Sequence, residues 1–428
     1  MSITLACPRC SAQISLTQAM PGSLVSCESC SLNMTLGVVL TPETMVAGKL
    51  AASASSTSAP QGEAPAQSKR TREYHKLKTQ PFQTEFTNRE ASAATLAEWL
   101  DCSADEILVA LTQLDDGSAY ELWRIPKGKG KFREISSPSD ELKAVQRRVL
   151  DRLLYRVPCS NAAHGFMPGR SIVTGAKVHL STATEVFNVD LKDAFPSVKA
   201  ERVKHLFVRH VKVPFLHLGR FTGYEQANDL INMLTRLVTW QGQLPQGAPT
   251  SGCLLNIACT TLDKRIFRLL DEAPGQYRYT RFADDLTISS GHQMPRVLRH
   301  ALMKVITNSG FETNVEKTKY LRISAGQTLE VTGLHLEKGK VRIPREKLDR
   351  YRAKIHNASQ IPLGELTDEV RLDTQSTAAF VAMVYERLPN KILKPYLEFC
   401  EAHGLRKPWQ NKPTMPFFMY PSANNADE

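Results

Sequence analysis

Three aspartates occupy settings in which carboxylates could act together. Glu185 to Ser197 reads EVFNVDLKDAFPS, and Tyr279 to Ser289 reads YTRFADDLTIS. In an extended strand Phe187, Val189 and Leu191 face one side and Asn188 and Asp190 the other, so one side seals a core and the other presents a carboxylate. Ala283, Asp284 and Asp285 join two β-prone runs, and a tight turn there aims both Asp side chains into one site that a straight strand would split between its faces. An Asp pair in a turn is, taken alone, an ordinary solvated turn. Paired with a second carboxylate-bearing strand it suits a clamp for two Mg²⁺ ions about 3.5–4 Å apart, one activating a hydroxyl and one holding a triphosphate, as nucleotidyl transfer requires. Between the strands lies LPQGAPTSG, Leu244 to Gly252, where Gly247 leaves room for a base pair. Pro249, Thr250 and Ser251 can start an apolar helix running from Cys253 to Leu270.

A second constellation lies at the start of the chain. Cys7, Cys10, Cys27 and Cys30 form two C-x2-C pairs separated by residues 11–26, with a Pro21-Gly22 turn between them. This is zinc-ribbon spacing: each pair brings two thiolates to one ion, and four such ligands close a tetrahedral site suited to structure. Two redox pairs, or cysteines together by chance, are the alternative.

Other elements must hold these residues in place. Leu96, Leu100, Ile107, Leu108, Leu111 and Leu114 recur near helical spacing on both sides of Ser103, which can cap the second of two short helices. Tyr120 to Ile125 and Phe132 to Ile135 look like strands flanking a turn, Pro126 to Lys131, and Leu142 to Tyr155 resumes a helical pattern. After Pro344, Glu346 to Ile355 and Thr374 to Leu388 also look helical.

In order and content these blocks resemble the palm of a reverse transcriptase, and particularly of the bacterial retron group, from Tyr120 to Leu405. Supporting pieces are REISSPSDELKAVQRRVLDRLL (Arg133 to Leu154), AHGFMPGRSI (Ala163 to Ile172), NVEKT (Asn314 to Thr318) and VTG (Val331 to Gly333), the last similar to a retron hallmark. The family's Asn-Ala-x-x-His element stands here as Gly175 to His179, and its Ser-Pro as Ser251-Gly252. The resemblance implies an α+β fold, a right hand with fingers, an antiparallel palm sheet and a helical thumb. It implies that Asp190 and Asp284 bind both Mg²⁺ ions, that Asp285 assists, and that the Leu191 carbonyl completes a metal shell. Phe195 matches the steric gate beneath the incoming sugar, with a core aromatic as the other reading. Lys131 and Arg133 would grip the triphosphate from the fingers hairpin, Arg133 with a planar fork suited to phosphate. Gln246 and Gly247 would line the nucleotide pocket, and Lys317 would approach the leaving pyrophosphate or be an ordinary surface charge. His164 and His179 have no adjacent nucleophile and are assigned no chemistry. Cys102, Cys159, Cys253, Cys259 and Cys400 sit among apolar residues, as buried thiols do.

These readings divide the chain into a zinc ribbon (1–46), a flexible basic linker (47–78), fingers and palm (79–343), a helical thumb (344–409) and a frayed tail (410–428). The linker's Ala, Ser, Pro, Gln and Gly cannot bury enough surface to fold. Its Lys69, Arg70, Arg72, Lys76 and Lys78 either brush nucleic acid or keep the tether solvated. The net charge of +11 favours an anionic partner. The first fifty residues balance Arg9 and Lys49 against Glu28 and Glu43, so the excess lies downstream. No apolar run is long enough to span a bilayer and no secretory leader opens the chain, so a cytoplasmic protein without a membrane partner is expected. The expected partners are a structured RNA template and primer, the DNA product, deoxynucleoside triphosphates and an effector protein in anti-phage defence. The competing functions are another bacterial reverse transcriptase, of diversity-generating or abortive-infection type, and a non-catalytic RNA-binding protein on a polymerase fold. Three unneeded carboxylates would repel RNA phosphates and count against the latter. A zinc-ribbon interaction protein using the polymerase as scaffold is a further class.

Overall fold

The computed structural model describes residues 2–6, 13–17, 24–26, 33–35, 86–128, 131–212, 224–362 and 364–405. Strand β1 (Ser2–Ala6) pairs antiparallel with β2 (Gln13–Thr17), and β3 (Leu24–Ser26) with β4 (Asn33–Thr35). The four zinc-ribbon cysteines fall between the paired strands in sequence and lie outside the described residues, as do the expected linker and tail.

Two helices open the next region, α1 (Arg89–Leu100) and α2 (Ala104–Asp116). Ser103 caps α2 as its sequence setting suggests, through a reciprocal box in which its hydroxyl accepts from the Glu106 amide and the Glu106 carboxylate accepts from the Ser103 amide. Ile107, Ala110, Leu111 and Leu114 repeat at helical spacing and are all buried, and Gly117 at φ 84° ends the helix. The hairpin of β5 (Tyr120–Gly128) and β6 (Lys131–Pro138) follows. Its ladder runs further than the expected Pro126–Lys131 turn: Pro126 still faces Phe132 and Gly128 faces Lys131. A two-stranded ribbon has free edges, so Pro126 interrupts no central ladder. Then comes α3 (Asp140–Arg152), capped by Ser139.

The centre is a four-stranded antiparallel sheet built from β7 (Glu185–Lys192), β8 (Tyr277–Phe282), β9 (Asp285–Ser290) and β10 (Glu312–Arg322), in the order β10-β7-β9-β8. The helices around it are α4 (Ile172–Val178), α5 (Ala194–Ser197), α6 (Ala200–Phe207), α7 (Tyr224–Val238), α8 (Ser251–Ala258), α9 (Thr260–Glu272) and α10 (Arg296–Thr307). The alternation read in β7 holds. Phe187, Val189 and Leu191 bury into the main core with Leu286 and Ile288 of β9. Each such side chain contributes roughly 1.5–3 kcal/mol on leaving water. The helix expected from Cys253 to Leu270 is instead two, α8 and α9. Cys259 breaks the regular turn at φ −77°, ψ −4°, and the break carries no Gly or Pro to mark it.

The opposite face of β7 contributes Val186 to a second core. That core holds a small sheet of β11 (Leu329–Val331), β12 (Leu334–Glu337) and β13 (Lys340–Arg342), with helices α11 (Arg345–Ser359), α12 (Asp368–Tyr385) and α13 (Asn390–Ala402). The Thr332-Gly333 pair of VTG makes the two-residue turn between β11 and β12, with both residues at positive φ, 46° and 76°. Two helices were expected after Pro344. The third, α13, contains Pro395 and buries Ile392, Tyr396, Phe399 and Cys400.

Candidate active site

Asp190 of β7 lies directly opposite Asp285 of β9 in the ladder, with Asn314 of β10 on its other flank. Asp284 forms the two-residue turn with Ala283, and its carbonyl accepts from the Leu191 amide at 2.9 Å, extending the β7 ladder to the turn. Leu191 therefore sits beside the turn, its side chain in the core. The three carboxylates share one electrostatic neighbourhood. Asp284 has its pKa raised by burial and by Asp190, offset by Lys317 and Arg133. Burial, then Asp284 and Asp190, push Asp285 up to about 6. Such a cluster calls for positive charge, and Lys317 supplies it, its Nζ donating to both Asp190 oxygens at 2.7 and 2.9 Å. A register shift between Asn314 and Lys319 in β10 accompanies this placement.

Beneath the turn lies a polar network that the sequence reading missed. Arg281 of β8 is fully buried and holds Asp263 of α9 bidentately, Nε to Oδ1 at 3.0 Å and Nη2 to Oδ2 at 2.9 Å. Its Nη1 donates to Asn256 Oδ1 at 2.9 Å and to the Ala283 carbonyl at 3.0 Å, while Tyr279 donates its hydroxyl to Asp263 at 2.7 Å. Ala283 stands at φ 56°, a left-handed backbone that a non-glycine residue adopts only where its surroundings enforce it. Arg281 thus ties the residue before Asp284 to two helices. The signal was Arg281 itself, a charged residue at an inward strand position beside the Asp pair.

The remaining candidates surround this centre. Arg133 is exposed on β6 and acts electrostatically on Asp284; Lys131 opens the same strand, its side chain outside the described residues. Gln246 is half-buried, and its carbonyl accepts from Ser136 of β6 at 2.8 Å. Gly247 also serves a close backbone approach: a Cβ there, at φ 137°, would stand 2.6 Å from the Ser136 carbonyl. Asp193 takes φ 46° and turns the chain from β7 into α5, which carries the half-buried Phe195. His164 Nδ1 pairs with Thr174, and the buried His179 sits between Ser289 and Thr280 at 2.7 and 2.8 Å, so both are tied into the scaffold. Burial lowers their pKa values to about 4 and about 3. Cys253, Cys259 and Cys400 are buried, and Cys102 and Cys159 partly so.

The donor set suits Mg²⁺: carboxylate and carbonyl oxygens with no sulfur or imidazole among them. The Lys317 ammonium against both Asp190 oxygens shows that the pocket accepts a cation. Among the described residues no three His, Cys, Asp or Glu side chains are gathered closely enough to hold a metal ion between them.

Residues 125–348 match the family model described as reverse transcriptase (RNA-dependent DNA polymerase). The retron Mx162 reverse transcriptase of Myxococcus xanthus is 36% identical over 314 residues, covering 68% of this chain and 64% of that protein. The retron Mx65 reverse transcriptase of the same organism is 34% identical over 271 residues, 62% and 61% of the two chains. The retron Ec86 reverse transcriptase of Escherichia coli is 36% identical over 244 residues, 56% of this chain and 69% of that protein. The chain thus spans somewhat less than two thirds of the length of the two Myxococcus relatives. The mixed helices and antiparallel sheets are those of a right-hand polymerase. With its matched segment enclosing β7 to β10 and every candidate carboxylate, the chain belongs to the reverse transcriptase family, and within that family it is of the retron type.

Proposed function

We propose that the protein is an RNA-directed DNA polymerase whose metal site comprises Asp190, Asp284 and Asp285. The observation that carries this reading is the register of β7 against β9, which sets Asp190 opposite Asp285 with Asp284 at the adjoining turn. Asp190 and Asp284, with Asp285 and the Leu191 carbonyl, would hold two Mg²⁺ ions, which when bound lower the pKa of the attacking hydroxyl and offset charge on the triphosphate. Arg133 and Lys131 on the fingers hairpin hold phosphate oxygens, and Arg133 faces charge that develops during transfer. Phe195 excludes a 2′-hydroxyl, and Gln246 and Gly247 border the nucleotide. Lys317, which donates to both Asp190 oxygens, would approach the leaving pyrophosphate. In this reading residues 79–343 form fingers and palm and residues 344–409 the thumb. Primer extension by Asp284→Asn tests it, since the change removes a ligand at constant size: loss of synthesis with RNA binding retained is expected, and robust extension with Mg²⁺ contradicts the assignment.

The similarity to retron enzymes supports a finer reading. The protein copies part of a structured RNA from one of that RNA's own 2′-hydroxyls, leaving DNA joined to RNA by a 2′,5′ branch, in a cytoplasmic defence system with an effector protein. Ribonuclease digestion should leave a short RNA remnant on the DNA that only a debranching enzyme removes; an ordinary 3′,5′ junction contradicts it. Cys7, Cys10, Cys27 and Cys30 bind one structural zinc in residues 1–46, a reading that rests on their spacing and on their positions between the β1–β2 and β3–β4 strands. Zinc content of the full chain, before and after Cys27→Ser with Cys30→Ser, checks this.

A further inference from the structure

Phe166 combines features that packing alone does not explain. It is a large aromatic left 48% exposed, and it stands at φ 56°. For a bulky residue that backbone is a true outlier, and such strain concentrates where a side chain must be held in one place. The surroundings enforce it. Asn256 donates Nδ2 to the Gly165 carbonyl at 2.6 Å, and the His164 amide donates to the Arg281 carbonyl at 2.8 Å. Gly165 lies so close to the Asp turn that a Cβ there would meet the Ala283 nitrogen at 3.2 Å and the Phe282 ring at 3.4 Å.

The held ring lies between two parts of the site. It meets Phe195 edge-on at 6.3 Å between centroids and the Phe282 ring at 6.2 Å. Gly252 is the second residue of α8, and a Cβ on Gly252 would stand 2.2 Å from the ring. The absence of a side chain at Gly252 is therefore what admits the ring. Edge-to-face contact is an arrangement that aromatic pairs prefer, so the Phe166 ring supports the Phe195 ring from one side.

We propose that Phe166 is a positioning residue for sugar selection, buttressing Phe195 so that its ring stays where a 2′-hydroxyl would be. This rests on the reading of Phe195 as the sugar gate. It links the gate to the metal turn through Phe282 and Ala283, so that the sugar and the reacting phosphate are aligned from one frame.

The test is single-nucleotide insertion, with the ratio of kcat/KM for a deoxynucleotide to that for the matching ribonucleotide measured in Phe195→Ala, Phe166→Ala, Phe166→Tyr and Gly252→Ala. Phe166→Ala should lower the ratio by about tenfold or more, a size typical of reshaping one wall of an apolar pocket. Phe166→Tyr should retain the ratio, and Gly252→Ala, which displaces the ring without altering either aromatic, should lower it. A merely structural role would instead reduce kcat for both nucleotides equally, and that result overturns the proposal, as does an unchanged ratio in Phe166→Ala while Phe195→Ala loses discrimination. If Phe195→Ala itself leaves the ratio unchanged, the gate reading falls and this inference falls with it. Melting temperatures of the four variants identify any that fail to fold; Phe166→Ala, at a half-exposed position, decides the matter if Gly252→Ala does not fold.

Discussion

Arg281 and Asp263 are wholly excluded from water beneath the Asp284 turn, whereas Leu122, Trp123, Ile125 and Phe132 on the β5–β6 hairpin leave 64, 53, 53 and 59% of their surface in it. At the turn polar groups are buried, and on the hairpin apolar groups are exposed. The turn is fixed in advance by hydrogen bonds that demand one geometry, as a metal site requires. The hairpin keeps a ladder but little packing, and on the proposed function its apolar side chains would meet bases and sugars. Arg133, on this looser element, still acts electrostatically on Asp284.

Several changes would break or sharpen this contrast. The largest effect is expected from Asp263→Leu, which strands the Arg281 charge in the core. A loss of about 3–5 kcal/mol in unfolding free energy is typical of such a break and is measured by denaturant titration. Replacing both partners, Arg281→Met with Asp263→Leu, should recover most of that stability while primer extension stays impaired, because Ala283 keeps no donor on its carbonyl. Full activity in the double variant would show that the network is only ballast.

Acid should act next, through His179. Its pKa falls from an ordinary 6.5 unfolded to about 3 folded, so the unfolded chain binds the extra proton first. Stability contributed by the neutral, hydrogen-bonded ring is complete above pH 6.5 and is lost as pH falls from there toward 3, by an amount on the order of 5 kcal/mol. His179→Gln, compared with wild type by melting at pH 7 and pH 5, should show a smaller drop between the two.

Arg133→Ala should leave melting unchanged, since the residue is exposed, yet raise KM for the nucleotide by roughly 10–100-fold, the loss of a charge-assisted contact of about 1.5–3 kcal/mol. Trp123→Ala should be the mildest for the fold, shifting stability by less than about 0.5 kcal/mol. It should still weaken primer–template affinity in a fluorescence titration. A large loss of stability there would mean that the hairpin face is packed rather than waiting.

Much of this was legible in the chain because local rules decide it. Ser103 with Glu106 announces the start of α2, and the period of two in β7 separates Asp190 from Val189 and Leu191. What stayed hidden depends on distant partners. The break at Cys259 has no breaker residue, and Pro395 discourages reading a helix that its neighbours nonetheless bury. The Arg281–Asp263 pair joins a strand to a helix, and no spacing rule reports that a charge is buried. The approach of the Ser136 backbone to Gly247 joins two segments far apart in sequence and leaves no local mark.

The central claim, that β7 and the Asp284 turn build one metal site, is tested most directly by letting Fe²⁺ take the place of Mg²⁺ and generating hydroxyl radicals that cut the backbone beside it. Fragments ending near Asp190 and near Asp284 and Asp285 should appear together, fade as Mg²⁺ is added, and vanish in Asp284→Asn. Cuts confined to other segments, or cuts at the two strands that persist in Asp284→Asn, would contradict it.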